Sequence, residues 1–323
     1  MKALMYTGIG QLEMQEIETP QDAYLVRVLG SGICGTDLKT FSVGHHFFKP
    51  PTILGHEFIG ELIQIPDDSS FAVGEKVVVA PYFECGSCNS CKTELPQMCT
   101  QKHFVSSGAF CEYVAIPAGY EKGMIRLPKD VDEQVFTLVE PLACVLNGIA
   151  HLNIKPWSRV LVVGGGPMGL LFALYFQDKG IPVTVVEPNP YRIKAIQRLG
   201  IECVEPKESD YSKYDQIIIS VNQAPLVAQA VHQVANGGTV LVFSGLKKEE
   251  TFEADAYAIH YREVSVTGCS GFALSHFQDA FAIIRANPGH FAKLITHRLP
   301  LSQGIEAFNL LKQGNAFKIV LEP

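Results

Sequence analysis

Nine cysteines are unevenly spread along the chain, and four of them, Cys85, Cys88, Cys91 and Cys99, fall within fifteen consecutive positions. Four thiolates at such short spacings can close a tetrahedron around Zn²⁺ with no other ligand. A site closed in this way leaves no position for a substrate, so the chemistry it points to is structural. An odd number of cysteines clustered like this does not read as a secreted disulfide framework; in a reducing compartment such thiols hold a metal. A nucleic-acid-binding zinc ribbon is the competing use of the same loop. The loop carries Lys92 as its base, set against Glu84 and Glu94, which makes a poor phosphate contact.

A second group of residues reads as open rather than closed. Gly32-Ile33-Cys34-Gly35-Thr36-Asp37 places a thiol, a hydroxyl and a carboxylate within four positions, and Gly55-His56-Glu57 adds an imidazole and a second carboxylate after Pro50-Pro51. Thiol, imidazole and carboxylate together suit a zinc that keeps a free position for a reactant. Taken singly each piece has an ordinary explanation, since a lone buried cysteine is usually core and a lone histidine is usually hydrogen-bonded structure.

The third chemical segment is Leu161-Val162-Val163-Gly164-Gly165-Gly166-Pro167-Met168-Gly169, which holds G-x-G-x-x-G at Gly164, Gly166 and Gly169. Glycine is common in turns, and the pattern alone is weak. Here it ends an apolar strand and opens a helix, the context in which backbone N–H groups and a helix dipole cradle a pyrophosphate. Glu187 follows 23 residues after Gly164, near the spacing of an acid that accepts both ribose hydroxyls of NAD and repels the 2′-phosphate of NADP. Arg192 close by moderates that preference. The alternative is a structural glycine turn with Glu187 as a solvated strand end.

These segments need elements to hold them. At 323 residues, 47% hydrophobic and 18% charged, the chain is long enough for two domains of about 100–200 residues each and can bury sizeable cores. Its formal charge of −7 disfavours a polyanionic partner such as nucleic acid. The longest apolar run, Val160 to Phe176, is broken by four glycines and a proline, so it reads as strand–turn–helix and not as a membrane span. With no apolar leader in Met1 to Gly10, a cytoplasmic protein is expected. Before about residue 155 come short β-like runs, Tyr24–Leu29, Phe58–Ile65, Lys76–Ala80 and Cys111–Ile116, suited to a barrel-like β domain. After Pro156 strands and helices alternate: Arg159–Val163, Pro167–Lys179, Pro182–Glu187, Tyr191–Leu199, Tyr214–Val221, Leu226–Ala235, Thr239–Phe243 and Val264–Thr267. That alternation implies a parallel sheet covered on both faces. Two helical segments, Phe277–Ala286 and Ile305–Lys312, and a last apolar strand, Lys318–Leu321, follow; periodicity does not say which domain they join.

The order G-x-C-G-T-D, then G-H-E, then the cysteine quartet, then G-x-G-P-x-G resembles the zinc-dependent medium-chain dehydrogenase family of the alcohol dehydrogenase superfamily. The resemblance runs over nearly the whole chain to Lys318-Ile319-Val320-Leu321, and within the family it points to the branch of sorbitol, threonine and galactitol-phosphate dehydrogenases. It implies an α/β plus β fold: a GroES-like β-barrel catalytic domain over residues 1–150, with 275–323 returning to it, and a Rossmann NAD-binding domain over 151–274. It makes Cys34, His56 and Glu57 the catalytic zinc group, with Glu140 of Val139-Glu140-Pro141 as a further ligand that exchanges with Glu57; Cys144 is not that ligand. Thr36 matches the hydroxyl that relays the substrate proton, and Asp37 the carboxylate that orients the zinc histidine. Gly164, Gly166, Pro167, Met168, Gly169, Glu187 and Arg192 match the coenzyme site. There are two departures. Lys39 stands where many relatives carry a relay histidine, so the last leg of the proton path falls to Lys39, His45, His46 or water. The chain is also short for the family.

The activity implied is oxidation of a secondary alcohol or polyol, phosphorylated or not, by NAD in a cleft between domains, with zinc as Lewis acid. The alternatives are an NADP-linked carbonyl reductase and a non-catalytic nucleotide-binding zinc protein. Phe41, Phe47, Phe48 and Phe110 are candidates for an apolar substrate pocket, although core packing explains Phe110 as well. The resemblance also implies a homodimer or homotetramer, built through a Rossmann edge strand that Val264–Thr267 would supply, and no membrane partner.

Overall fold

Every second residue from Tyr24 to Val28 is buried while Arg27 faces outward, the period-two signature of a strand with one face on a core. That strand, Tyr24–Gly32, is the centre of the first unit in the computed structural model, which describes residues 1–323. Its sheet runs Met124–Arg126, Lys76–Val79, Glu57–Gln64, Tyr24–Gly32, Lys318–Glu322 and Ile295–Pro300, and Tyr113–Ile116 also pairs with the central strand. All of these pairs are antiparallel except the last two strands, which are parallel. A register irregularity between Val28 and Gly30 marks a bulge, the device that bends a sheet toward a barrel. A smaller sheet of Gln11–Glu16, Lys2–Gly8 and Thr52–Ile53 completes this GroES-like unit.

The register decides where the chemistry goes. Gly32 pairs with Glu57 on one side and with Val320 on the other. Cys34, two residues beyond Gly32, His56, just before Glu57, and Lys318, at the head of its strand, are therefore drawn to one end of three adjacent strands.

The second unit is an all-parallel sheet in the order Glu202–Val204, Val183–Val186, Val160–Val163, Gln216–Ile219, Thr239–Val242 and Ser265–Gly268. Numbered along the chain this is 3-2-1-4-5-6, the doubly wound Rossmann arrangement. Val160–Val163 and Gln216–Ile219 are buried at every position, as strands covered on both faces must be. Ser265–Gly268 lies at the sheet edge and is largely exposed. The first unit comprises Met1–Ala143 with Phe272–Pro323, and the second Cys144–Gly271. The C-terminal helices Leu274–Ala286 and Gly304–Lys312 and the strands Ile295–Pro300 and Lys318–Glu322 thus belong with the N-terminal part of the chain. No helix is long and apolar enough to cross a membrane.

Several elements carry no clear signal in the sequence: the hairpin Lys2–Gly8 and Gln11–Glu16, and the helices Gly35–Val43 and Val139–Ala150. The helix Gly35–Val43 is the important one, because Cys34 is its N-cap.

Candidate active site

Cys34, His56 and Glu57 come together with one donor atom each, all within 4.8 Å of one another. Three local features place them. Cys34 leaves the central strand in an extended conformation and caps the helix Gly35–Val43, its Sγ accepting from Thr36 N at 3.4 Å. The thiol therefore sits at the positive end of a helix dipole. Asp37, fully buried, answers from the third helical position: Oδ2 accepts from Cys34 N at 3.0 Å and Oδ1 from Gly55 N at 3.2 Å. Asp37 Oδ1 also lies 3.5 Å from His56 Nδ1, which leaves Nε2 as the nitrogen free for a metal. Gly55 holds φ +92°, and a Cβ there would run into the Phe110 ring, so only glycine makes this approach. Burial alone would push the His56 imidazole down, but Asp37 and Cys34 beside it hold it well above the usual histidine range. This is the electrostatics of a site made for a cation.

Glu57 is fully buried, and both its oxygens accept from Lys318 Nζ, at 2.8 and 2.6 Å. The third Lys318 donor reaches the Ile33 carbonyl at 3.2 Å. Nothing in the apolar run of the last strand marks Lys318 as a site residue, and 261 positions separate it from Glu57. Glu140, on the helix Val139–Ala150, is buried but is not one of the three donors within 4.8 Å. Burial lifts its carboxyl to about 7; His56 and Lys318 pull it down while Glu57 and Asp37 push it up. Those influences put it in the field of the same cluster. A thiol, an imidazole and a carboxylate within reach of one another, with both the histidine and the cysteine oriented by Asp37, fit a catalytic zinc.

The cysteine quartet is a separate centre. The donor atoms of Cys85, Cys88, Cys91 and Cys99 all lie within 4.8 Å of one another. Sulfur separations are 3.5 Å for Cys88–Cys91 and Cys85–Cys99 and 3.7 Å for Cys88–Cys99. A tetrahedron with zinc–sulfur arms of 2.3 Å has edges of about 3.8 Å, so the group fits a structural zinc. N–H and O–H donors from Ser87 hold Cys85 down to about 5, backbone donors from Cys91 and Thr100 hold Cys88 near 7, and burial with the neighbouring thiols drives Cys91 up to about 12. Four crowded thiols do not all ionise unaided; a dication allows it.

In the second unit the strand Val160–Val163 turns at Gly164, φ +104°, into the helix Pro167–Asp178, with Gly166 as N-cap and Pro167 opening the first turn. A Cβ on Gly169 would fall on the Gly164 carbonyl oxygen, so the helix can start this close to the strand end only with glycine there. Ser220 Oγ donates to the carbonyls of Val163 and Gly164, 2.9 and 2.8 Å, and fixes the strand end. Glu187 follows its strand and accepts from Gly165 N at 2.8 Å and Asn189 N at 2.9 Å. Each oxygen keeps a further lone pair as acceptor. Arg192 Nη1 stands 3.8 Å from Glu187, and its buried Nε has no hydrogen-bond partner.

Of the candidate pocket aromatics, Phe110 is fully buried and packs edge-on against Phe308, as does Phe41. Both are core. Phe47 is 77% exposed, its ring tilted against those of His45 and His46.

Comparison with known proteins agrees with this geometry. Residues 20–129 match the alcohol dehydrogenase GroES-like domain, and 134–322 match the glucose dehydrogenase C-terminus. The chain is 31% identical to D-altritol 5-dehydrogenase of Agrobacterium fabrum over 324 aligned positions, 95% of each chain. It is 27% identical to sorbitol dehydrogenase of Halalkalibacterium halodurans, over 100% of this chain and 99% of the relative. Among solved structures, 2R,3R-butanediol dehydrogenase from Bacillus subtilis superposes with a TM-score of 0.88 at 25% identity, covering 100% of this chain and 99% of the other.

Proposed function

Because the chain belongs to the zinc-dependent medium-chain dehydrogenase family, and is thus an oxidoreductase of the hydride-transferring kind, we propose that it oxidises a secondary alcohol of a polyol or sugar-derived substrate with NAD. The observation that carries the reading is the thiol–imidazole–carboxylate group at the capped end of a helix that also bears Thr36. Names of relatives support the substrate class: D-altritol, sorbitol and butanediol all carry vicinal secondary hydroxyls.

In this reading Cys34, His56 and Glu57 or Glu140 hold the catalytic zinc, which supplies a Lewis acid that lowers the pKa of an alcohol. Asp37 keeps the ring of His56 and the backbone of Cys34 in place. Thr36, on the first turn beyond Cys34, accepts the alcohol proton and passes it to Lys39, His45, His46 or water. Bound NAD would supply the hydride acceptor for the carbinol hydrogen, so the products would be a ketone, NADH and one proton. The glycine loop Gly164–Gly169 offers backbone N–H groups to the pyrophosphate, and Glu187 accepts the adenosine ribose hydroxyls. Arg192 gives the NADP-linked carbonyl reductase alternative its one support, since a guanidinium beside Glu187 would also attract a 2′-phosphate.

The test is NADH formation across a panel of polyols, sugar acids and their phosphates, run in parallel with NADP. Turnover of vicinal secondary alcohols with NAD, lost in Thr36→Val by about 10²-fold or more, is expected. Turnover with NADP alone would favour the carbonyl reductase. Nucleotide binding with no turnover of any alcohol would leave only a binding protein.

A further inference from the structure

Lys318 is a buried ammonium with all three donors spent on two segments. Two reach Glu57 Oε1 and Oε2, and the third reaches the Ile33 carbonyl, one residue before Cys34. Glu57 follows His56 directly. One side chain thereby ties the segment that carries the thiol to the segment that carries the imidazole. The route between them is built into the sheet. The central strand lies between the strands of Glu57 and Lys318, and the residue it presents there is Gly32. A Cβ on Gly32 would fall on Glu57 Oε2, so the contact across the strand exists because that position is glycine.

We propose that Lys318 is a positioning residue that holds the Glu57 carboxylate back from the catalytic metal while bracing the Cys34 and His56 segments against each other. The inference rests on the zinc reading of the site. An ammonium that engages both oxygens takes up the face with which a carboxylate would chelate, and its charge offsets the attraction of the metal for Glu57. Without Lys318, Glu57 would be left as a buried unpaired anion, and the metal would be its one available counter-charge.

Three variants separate this from a merely structural role: Glu57→Gln, Lys318→Met, and the two combined, each loaded with Co²⁺ in the full-length protein. The readouts are the visible spectrum of the metal and the rate at which a chelator extracts it. If Lys318 holds Glu57 back, Glu57→Gln leaves the cobalt spectrum and the extraction rate close to wild type. Lys318→Met then shifts the spectrum and slows extraction by about tenfold or more, and adding Glu57→Gln reverses both changes. A spectral shift in Glu57→Gln alone would make Glu57 a resting ligand and overturn the proposal, as would faster metal loss in Lys318→Met. Should Lys318→Met fail to fold, a shifted cobalt spectrum in Glu57→Gln, whose amide oxygen still accepts from Lys318, would still overturn the proposal. Wild type that takes up cobalt only at the cysteine quartet would instead refute the catalytic metal site itself, before Lys318 is in question.

Discussion

Asp37 accepts from the backbones of Cys34 and Gly55, which lie on two separate segments, and faces the ring of His56 as well. Hydrogen bonds to a charged acceptor are worth about 1.5–3 kcal/mol each, so a single buried carboxylate fixes two ligands at once. The types and order of Cys34, Asp37, His56 and Glu57 are plain in the sequence; their mutual distances are not, because the register of two strands sets them. Lys318 is harder to read. Inside Lys-Ile-Val-Leu it looks like a solvated strand end, and only the fold shows that Gly32 opens its path to Glu57.

Away from the site, Glu121 accepts from Tyr24, from the Ser69 hydroxyl and from both the backbone and the hydroxyl of Ser70. Those donors, Ser69 and Tyr24 foremost, hold its carboxyl down to about 2. A depressed carboxylate adds stability that is fully present above its unfolded pKa and is lost as pH falls through the folded value. Glu121→Gln is therefore expected to lower the melting temperature at neutral pH, with the gap to wild type closing between about pH 4.5 and pH 2. A gap independent of pH in thermal melts would contradict the assignment.

At the scale of elements, the strands and helices that the sequence pattern marks in the second unit lie within a residue or two of their observed bounds, because strands buried on both faces are unbroken apolar runs punctuated by glycine; the short strand Glu202–Val204 and the helix Ala256–Tyr261 are not among them. The helix Gly35–Val43 does not show itself. Its buried face is Asp37, Thr40 and Phe41, so it presents no apolar stripe, and its cap is a cysteine in place of the usual Ser, Thr, Asp or Asn. Helix Val139–Ala150 is hidden for the opposite reason: it is apolar nearly all round, and its only charge is Glu140. The glycine turn was legible because strand, turn and helix occur in one stretch. Gly169→Ala pushes the start of the helix off the Gly164 carbonyl and should weaken NADH binding by at least about tenfold, or about 1.4 kcal/mol, with unchanged circular dichroism. An unchanged Kd in a fluorescence titration would remove the loop from the coenzyme site.

At the scale of the whole molecule, the parallel sheet ends in an edge strand, Ser265–Gly268, whose backbone groups have no partner beyond it and whose Val266 is exposed. A regular edge of this kind is a template for pairing with a second copy. Val266→Asp is expected to reduce the mass measured by light scattering from an oligomer to a single chain. A wild type that is itself a monomer, or a variant of undiminished mass, would place any interface elsewhere.

The proposed chemistry depends on two metal centres, one closed by four thiolates and one open at Cys34. The direct test is the zinc content of the purified protein, wild type against Cys34→Ser. Two zinc ions per chain are expected, falling to about one in the variant, with the cysteine quartet still loaded. One zinc in both proteins would contradict this expectation and leave the quartet as the only metal site.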